Sequence, residues 1–302
     1  MNNSIRNFFA RAVQHVYQRS KDKGVIFYDD DDRIVFFCIA SVLARKYKIV
    51  VLGFSIMFTH FHKALIAKLK TLLSKFIQDL TSIYARSYNH QHNRHGELFH
   101  PRFGSSSKKD PKIIRTTLAY VYNNHVEKGL CKHPIEERWC FLAYALSPNP
   151  FSPPINYESI SKRFKSALRM VDKRRENEEY IKFRDLRNIR RGLSDVENNQ
   201  LTDYIISKYM FIDFQAAAAF YNSFEAMLNS FDANSGSEWD LNEEYASFSD
   251  NEYVKMGDIF KRNKWEYKTV YSLPKCDKER IAKELYYKYG INNMAIKKYL
   301  HL

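Results

Sequence analysis

Apolar and polar positions alternate along residues 12–19 (AVQHVYQR), the two-residue period of a strand with one buried face. Past Gly24 the period lengthens. Ile34, Phe37, Cys38, Ser41, Val42 and Arg45 recur at helical spacing and predict a helix ending near Tyr47. The acids at 29–32 supply its N-cap and a first turn matched to the helix dipole. KIVVLGFSIMF (48–58) reads as an apolar strand broken around Gly53, and 59–66 as a second strand. Residues 69–89 place Leu72, Leu73, Phe76, Leu80, Ile83, Tyr84 and Tyr88 on one face of a helix. ELFHPRFGSS (97–106) reads as a strand, followed by a helix at 111–128 with Pro111 near its start and Gly129 as its C-cap. The order β-α-β-β-α-β-α predicts an α+β fold, the ferredoxin-like split βαβ, with its middle strands adjacent and helices on one face.

Beyond Gly129 the texture changes, and the first domain is set at 1–145. ALSPNPFSPPINY (145–157) holds four prolines, so 146–160 reads as a Pro-rich linker or a wrapped extended segment. An all-α extension is expected over 161–270. It begins with a helical, basic stretch to about 208, whose Asp172, Glu176, Glu178 and Glu179 suggest pairing within the helix. Its excess of positive charge suits a nucleic-acid clamp. A further helix is expected at 212–231, then an acidic connector, ANSGSEWDLNEEY (233–245). Residues 271–302 read as a helix-turn-helix. Ile281, Leu285, Ile291, Ile296 and Leu300 form its small core, and Asn292, Asn293, Lys297 and Lys298 face DNA. The bland reading is a helical hairpin that only packs on the rest of the chain.

Composition narrows the class of partner. The 302 residues carry a formal net charge of +14, which favours a polyanion. Aromatic residues make up 15%, enough both to fill a core and to stack on unpaired bases. Cys38, Cys131, Cys140 and Cys276 are scattered without a C-x-x-C pair, so neither a zinc knuckle nor a disulfide framework is expected. No signal peptide is visible, and the apolar run at 49–57 is far too short to span a bilayer. A soluble, cytoplasmic protein with no membrane partner is expected.

Two constellations could carry chemistry. His60-Phe61-His62 lies on a strand, where residues two apart face the same side, so two imidazoles converge on one point and can hold a divalent cation. Such a pair also arises incidentally. On the last helix of the first domain Tyr120 and Asn124 share a face and Tyr122 points elsewhere. Asn124 could be a third ligand with the Tyr120 phenol one turn away. Alternatively Tyr120 is a core aromatic and Asn124 ends the helix. Arg94, His95, Arg102, Lys108 and Lys109 are candidate phosphate contacts, or ordinary solvated charges.

The first 145 residues closely resemble the REP-associated tyrosine transposases, a branch of the HUH single-tyrosine (Y1) transposases. The matching segments are QHVYQR, GVIFYDDDDR, FSIMFTHFH, YARSYNHQHNRHGELFHPRF and YVYNNHVEKGL, in that order. The family's tyrosine motif is Tyr, three residues, Asn, then Pro-Val, which Tyr120 and Asn124 fit. Lys63 stands where the family has an apolar residue, on a strand face expected to be buried, and His125 stands where it has proline. The resemblance implies that His60, His62 and Asn124 hold Mg²⁺ or Mn²⁺ and that Tyr120 attacks a phosphodiester of single-stranded or hairpin DNA. A 5′-phosphotyrosine link and a free 3′-hydroxyl would result, and strand exchange would need sequential use of one nucleophile or a homodimer. The setting it implies is the bacterial nucleoid. A domesticated, non-catalytic DNA-binding protein is the main rival, and a metal-dependent RNA-processing enzyme a weaker one.

Overall fold

The computed structural model describes residues 8–233, 248–265, 270–271 and 273–302, so the acidic connector at 234–245 lies outside the described residues. Strand β1 (Val13–Arg19) leads to helix α1 (Asp30–Lys46), the hairpin of β2 (Val50–Ile56) and β3 (His60–Ile66), and helix α2 (Lys70–Gln91). Strand β4 (Gly104–Lys108) and helix α3 (Pro111–Glu127) follow. The sheet order is β2-β3-β1-β4 and each neighbouring pair is antiparallel, the expected split βαβ arrangement.

Local chemistry sets these boundaries. Asp29 caps α1 in a capping box with Asp32, and Arg45 and Lys46 occupy the last turn, each suited to the helix dipole. Asp110 accepts from the backbone of Lys112 and Ile113 to start α3, with Pro111 in its first turn. The last strand is shorter and later than 97–106. Pro101 has no N–H to donate and the chain bends there, so Phe99 makes an isolated bridge to Ser20 and regular pairing waits for Gly104.

The expectation of helices on one face needs correction. Phe61 and Leu65 share a core with Phe36 of α1 and Phe76 of α2, whereas Ala64 shares a second core with Leu118 and Val121 of α3. A sheet buried on both faces has to be covered on both. The chemistry-bearing strand is thus sandwiched, and α3 has one face of the sheet to itself among these three helices.

The helical stretch running to about 208 consists of α4 (Lys162–Glu176), α5 (Phe183–Arg190) and α6 (Asp195–Tyr209). Glu178 and Gly192 adopt left-handed backbone at the breaks, and Ser194 opens α6 with a capping box. The stretch at 212–231 likewise splits into α7 (Phe214–Ala218) and α8 (Phe224–Ala233), because Ser223 accepts from the Ala226 amide and starts a new helix. Helices α4 to α6 pack Phe164, Leu168, Val171 and Ile205 into the same core as α1. The Pro-rich stretch wraps along α6: Asp203 accepts from Phe151 N and Ser152 Oγ, and Gln200 donates to the carbonyls of Pro153 and Pro154.

The basic run is spent differently from expectation. Asp172 pairs with Lys208 of another helix at 2.9 Å, Arg190 with Asp31 at 2.7 Å, and Arg175 donates to Lys208 O at 2.9 Å. These cations tie helices together, while Lys162, Lys165, Arg169, Lys173 and Arg184 of the same run are exposed.

After α8 the described chain resumes at Phe248, and α9 (Asn251–Arg262), α10 (Lys275–Tyr289) and α11 (Asn293–Leu300) complete it. Gly290, at φ +66°, turns α10 into α11. The pair docks on the loop before α1: Val25 N donates to Lys298 O, and Tyr28 Oη to Tyr299 O. Among the described residues no helix is long and apolar enough to cross a membrane.

Lys63 is the oddity of the core. It is fully buried, its Nζ has no hydrogen-bond partner among the described residues, and it lies 4.2 to 5.2 Å from the ring centroids of Phe36, Phe54, Phe61 and Phe76. Ring faces attract a cation, yet burial pushes the ammonium well below its ordinary value. The folded state then binds fewer protons than the unfolded chain, up to the ordinary lysine range, and stability rises with pH across that window. Lys63→Met should therefore raise the melting temperature at neutral pH, and the gain over wild type should shrink as pH climbs toward 10.5. Thermal melts across pH 6 to about 10 check both parts.

Candidate active site

The period of β3 decides where its histidines point. His60, His62 and Ala64 occupy the face that α3 covers, and Phe61, Lys63 and Leu65 the face under α1 and α2. The two imidazoles meet at 90° with centroids 4.9 Å apart. Nδ1 of His60 is 2.9 Å from Thr59 Oγ1, and Nδ1 of His62 is 3.1 Å from His15 Nε2. Both Nδ1 atoms are thus engaged, so a metal would be held through Nε2.

Tyr120 approaches the same point from α3. Its ring meets His62 edge-on at 5.3 Å and His15 at 5.6 Å, and the residue is 7% exposed. Tyr122 points away and is fully buried, donating to Leu52 O at 2.7 Å. Burial holds its phenol well above the ordinary value. Its ring lies over Gly53, where a Cβ would sit 3.2 Å from it, so the glycine at the β2 bulge admits the ring.

Asn124 lies one turn beyond Tyr120 on the same helix face. It is fully buried, and neither Oδ1 nor Nδ2 has a hydrogen-bond partner among the described residues. An orphaned buried amide costs about 1–3 kcal/mol, so this group is expected to answer to something else. Among the described residues no set of three or more His, Cys, Asp or Glu side chains forms a metal site; three-point ligation here needs the amide. An amide oxygen beside two imidazoles is a donor set that Mg²⁺ and Mn²⁺ accept. His125, at the family's proline position, is an anchor: Nε2 is 3.2 Å from Ile56 O and Nδ1 3.3 Å from Ser55 Oγ. Burial pushes it down to about 4, so it is neutral, with its proton on the nitrogen facing the carbonyl.

Two residues of β1 join this face although sequence reasoning gave them no chemical role. His15 is buried and stacks on His62 at 5.3 Å with a 4° interplanar angle. Tyr17 pairs across from His62 and stacks on both rings. The alternation that marks β1 as a strand already put both on one face; which face met β3's histidines depended on strand register. A Cβ at Gly104 would run into the Tyr17 ring, so the glycine makes room for this stack.

The other candidates scatter. Arg102 lines a cavity with His60 and Lys298. Arg94 braces the loop after α2, donating to Asn89 Oδ1 and to the carbonyls of Gly96 and Glu97. His95 is exposed on that loop. Lys108 lies beside Val13, at the far end of β4 from Gly104, and Lys109 sits over the Phe9 ring. Asn292 caps α11 through Oδ1, while Asn293 and Lys297 are exposed.

A four-stranded antiparallel sheet, an inner strand with paired histidines and a following helix that brings a tyrosine against them make up the arrangement that the resemblance to HUH single-tyrosine transposases leads one to expect. Residues 10–124 match the family model of IS200-like transposases. Two solved structures are similar to part of the chain. A REP-associated tyrosine transposase bound to a REP hairpin aligns at 14% identity and a TM-score of 0.42, over 49% of this chain and 86% of its own. A protein assigned as a transposase in Deinococcus radiodurans R1 aligns at 16% identity and a TM-score of 0.28, over 41% of this chain and 98% of its own. No curated protein matches the chain in sequence.

The two neighbours of Tyr120 on α3 should behave oppositely when altered. Tyr122→Phe removes a buried hydrogen bond and should cost about 1–3 kcal/mol by leaving Leu52 O unpaired. Asn124→Leu removes an orphaned amide and should stabilise the metal-free protein. Urea unfolding of both variants in chelator gives the sign of each.

Proposed function

We propose that the chain cuts and rejoins single-stranded DNA through a covalent tyrosine intermediate. The observation that carries this is the Tyr120 ring set edge-on against His62, 5.3 Å away, with His60 alongside on the same sheet face. In the proposed reaction the phenol oxygen of Tyr120 attacks phosphorus, the bond from phosphorus to the 3′-oxygen breaks, and the leaving oxygen takes up a proton. DNA then hangs from Tyr120 by its 5′-phosphate, and a 3′-hydroxyl can reverse the step with the bond energy conserved. His60 and His62 through Nε2, and Asn124 through Oδ1, would hold Mg²⁺ or Mn²⁺, which draws charge from the phosphate as the transition state forms. His15 orients His62: its bond to Nδ1 fixes the ring and its tautomer.

The motif resemblance favours hairpins of palindromic repeats as targets. We assign catalysis to 1–145, with 146–160 joining it to the helices of 161–270. Arg94, His95, Arg102, Lys108 and Lys109 stay proposed phosphate contacts. The pair at 271–302 is proposed as a helix-turn-helix whose exposed Asn293 and Lys297, with Asn292 and Lys298, reach DNA. A homodimer would allow two tyrosines to exchange strands, and the bacterial cytoplasm, on the nucleoid, is the proposed setting.

Incubation with pooled hairpin-bearing oligonucleotides and Mn²⁺ should give a denaturation-resistant protein–DNA adduct, absent with chelator and in Tyr120→Phe. Tight binding without any adduct would favour the domesticated binder. Independently of cleavage, Mn²⁺ should raise the melting temperature of wild type. Asn124→Leu should respond far less, and His15→Ala should need about 10–100 times more Mn²⁺ for the same shift.

A further inference from the structure

A cavity of about 350 Å³ opens beside His60, at the lower end of the roughly 300–1,000 Å³ typical of small-ligand sites. It suits one nucleotide and is too small for a duplex. Arg19, Lys23, Arg102, Lys128 and Lys298 line it, and Asp250 is the one acid among the described lining residues. Tyr17, Phe103 and Tyr253 add aromatic surface to these cations. Excess positive charge with interleaved rings is the chemistry of a phosphate joined to a base. Gln18 adds a polar group: it is 5% exposed, Nε2 donates to His100 O at 2.7 Å, and Oε1 has no hydrogen-bond partner among the described residues.

The position of the cavity gives it a role. Tyr17 lines it on one side and stacks on His62 on the other, at 5.9 Å between centroids. His60 lines the cavity directly, and the Tyr17 ring lies between the cavity and His62. Asp250, Tyr253 and Lys298 come from the C-terminal helices, outside the family segment at 10–124. They are fixed in place. Val25 N donates to Lys298 O at 3.0 Å, and Tyr253 packs in one core with Val25, Phe58 and Tyr299.

We propose that this cavity holds one unpaired nucleotide of the substrate strand, adjoining the phosphate to be cut, and that the C-terminal helices form its outer wall. The inference rests on the strand-cleaving reading above and deepens it: α9 and α11 help choose which phosphate reaches Tyr120.

The test uses the full chain in chelator and a random-sequence single-stranded 20-mer pool containing 5-bromodeoxyuridine. Photocrosslinks mapped by mass spectrometry should fall on peptides holding Tyr17, Phe103 or Tyr253. Phe103→Ala should weaken binding of the pool about 5- to 100-fold, the worth of one stacked base, and Lys298→Glu should also weaken it. Arg102→Ala, at an exposed position, serves should either variant melt early. Crosslinks confined to other surfaces, with wild-type affinity in these variants, would overturn the proposal. So would full competition by free dTMP at the concentration of pool strands, which would mark a soluble-nucleotide site instead. Crosslinks in the cavity, with no Tyr120 adduct in the separate Mn²⁺ incubation with hairpin oligonucleotides, would sink the cleavage reading and leave the cavity standing. An adduct with crosslinks elsewhere would do the reverse.

Discussion

The site depends on how α3 is rotated about its own axis, and Tyr122 sets that rotation. Its ring enters over Gly53 and its hydroxyl reaches Leu52 O. With Tyr122 turned into the sheet at the β2 bulge, Tyr120 is turned toward β3, and Asn124 follows one turn later. His125 adds a second fastening to Ile56 and Ser55. A helix pinned at two points against β2 cannot roll far without leaving buried carbonyls unpaired, which costs about 1–3 kcal/mol each. The tyrosine that bonds the sheet is therefore what aims the one proposed to react.

The same strand that presents the histidines pays for its alternation on the other face. Period two sends residue 63 into the core between Phe61 and Leu65, whatever its chemistry. A lysine there meets four phenylalanine rings and no hydrogen-bond partner among the described residues. Asn124 is a second unsatisfied group, on the other side of the sheet. The two differ in meaning. Asn124 sits on the tyrosine's helix face, where an amide oxygen has a use in the proposed ligation. Lys63 follows His62 on the same strand but faces the opposite side of the sheet, and among the described residues it meets only ring faces.

Legibility followed the range of the interactions. Alternation at β1 and β3, the acidic cap of α1 and the proline start of α3 are local signals, and the sheet order follows from the element order they define. The H-x-H pair was readable because a strand's period is rigid. His15 was on the page as well, but its contact with His62 depends on β1 pairing with β3 in one register. Choosing between Tyr120 and Tyr122 by spacing fixed only that they face apart; the glycine that admits Tyr122 is Gly53, on another element and beyond any local pattern. The helical texture to about 208 was legible but its breaks at Gly192 and Ser194 were not, and the one helix expected at 212–231 divides at Ser223, where a serine cap starts a new helix.

The placement of charge bears on how DNA would be held. Composition pointed to the arginine-rich run as a clamp, yet Arg175 and Arg190 are spent on joining α4, α5 and α6 to each other and to α1. The cations gathered beside His60 come from widely separated places: Arg19 ends β1, Arg102 precedes β4, Lys128 follows α3 and Lys298 lies in α11. No window of sequence shows that cluster. It arises because α11 docks on the loop before α1, through Val25 N to Lys298 O and Tyr28 Oη to Tyr299 O. Some of the cations dense in sequence join helices, and cations dispersed in sequence converge on the cleft.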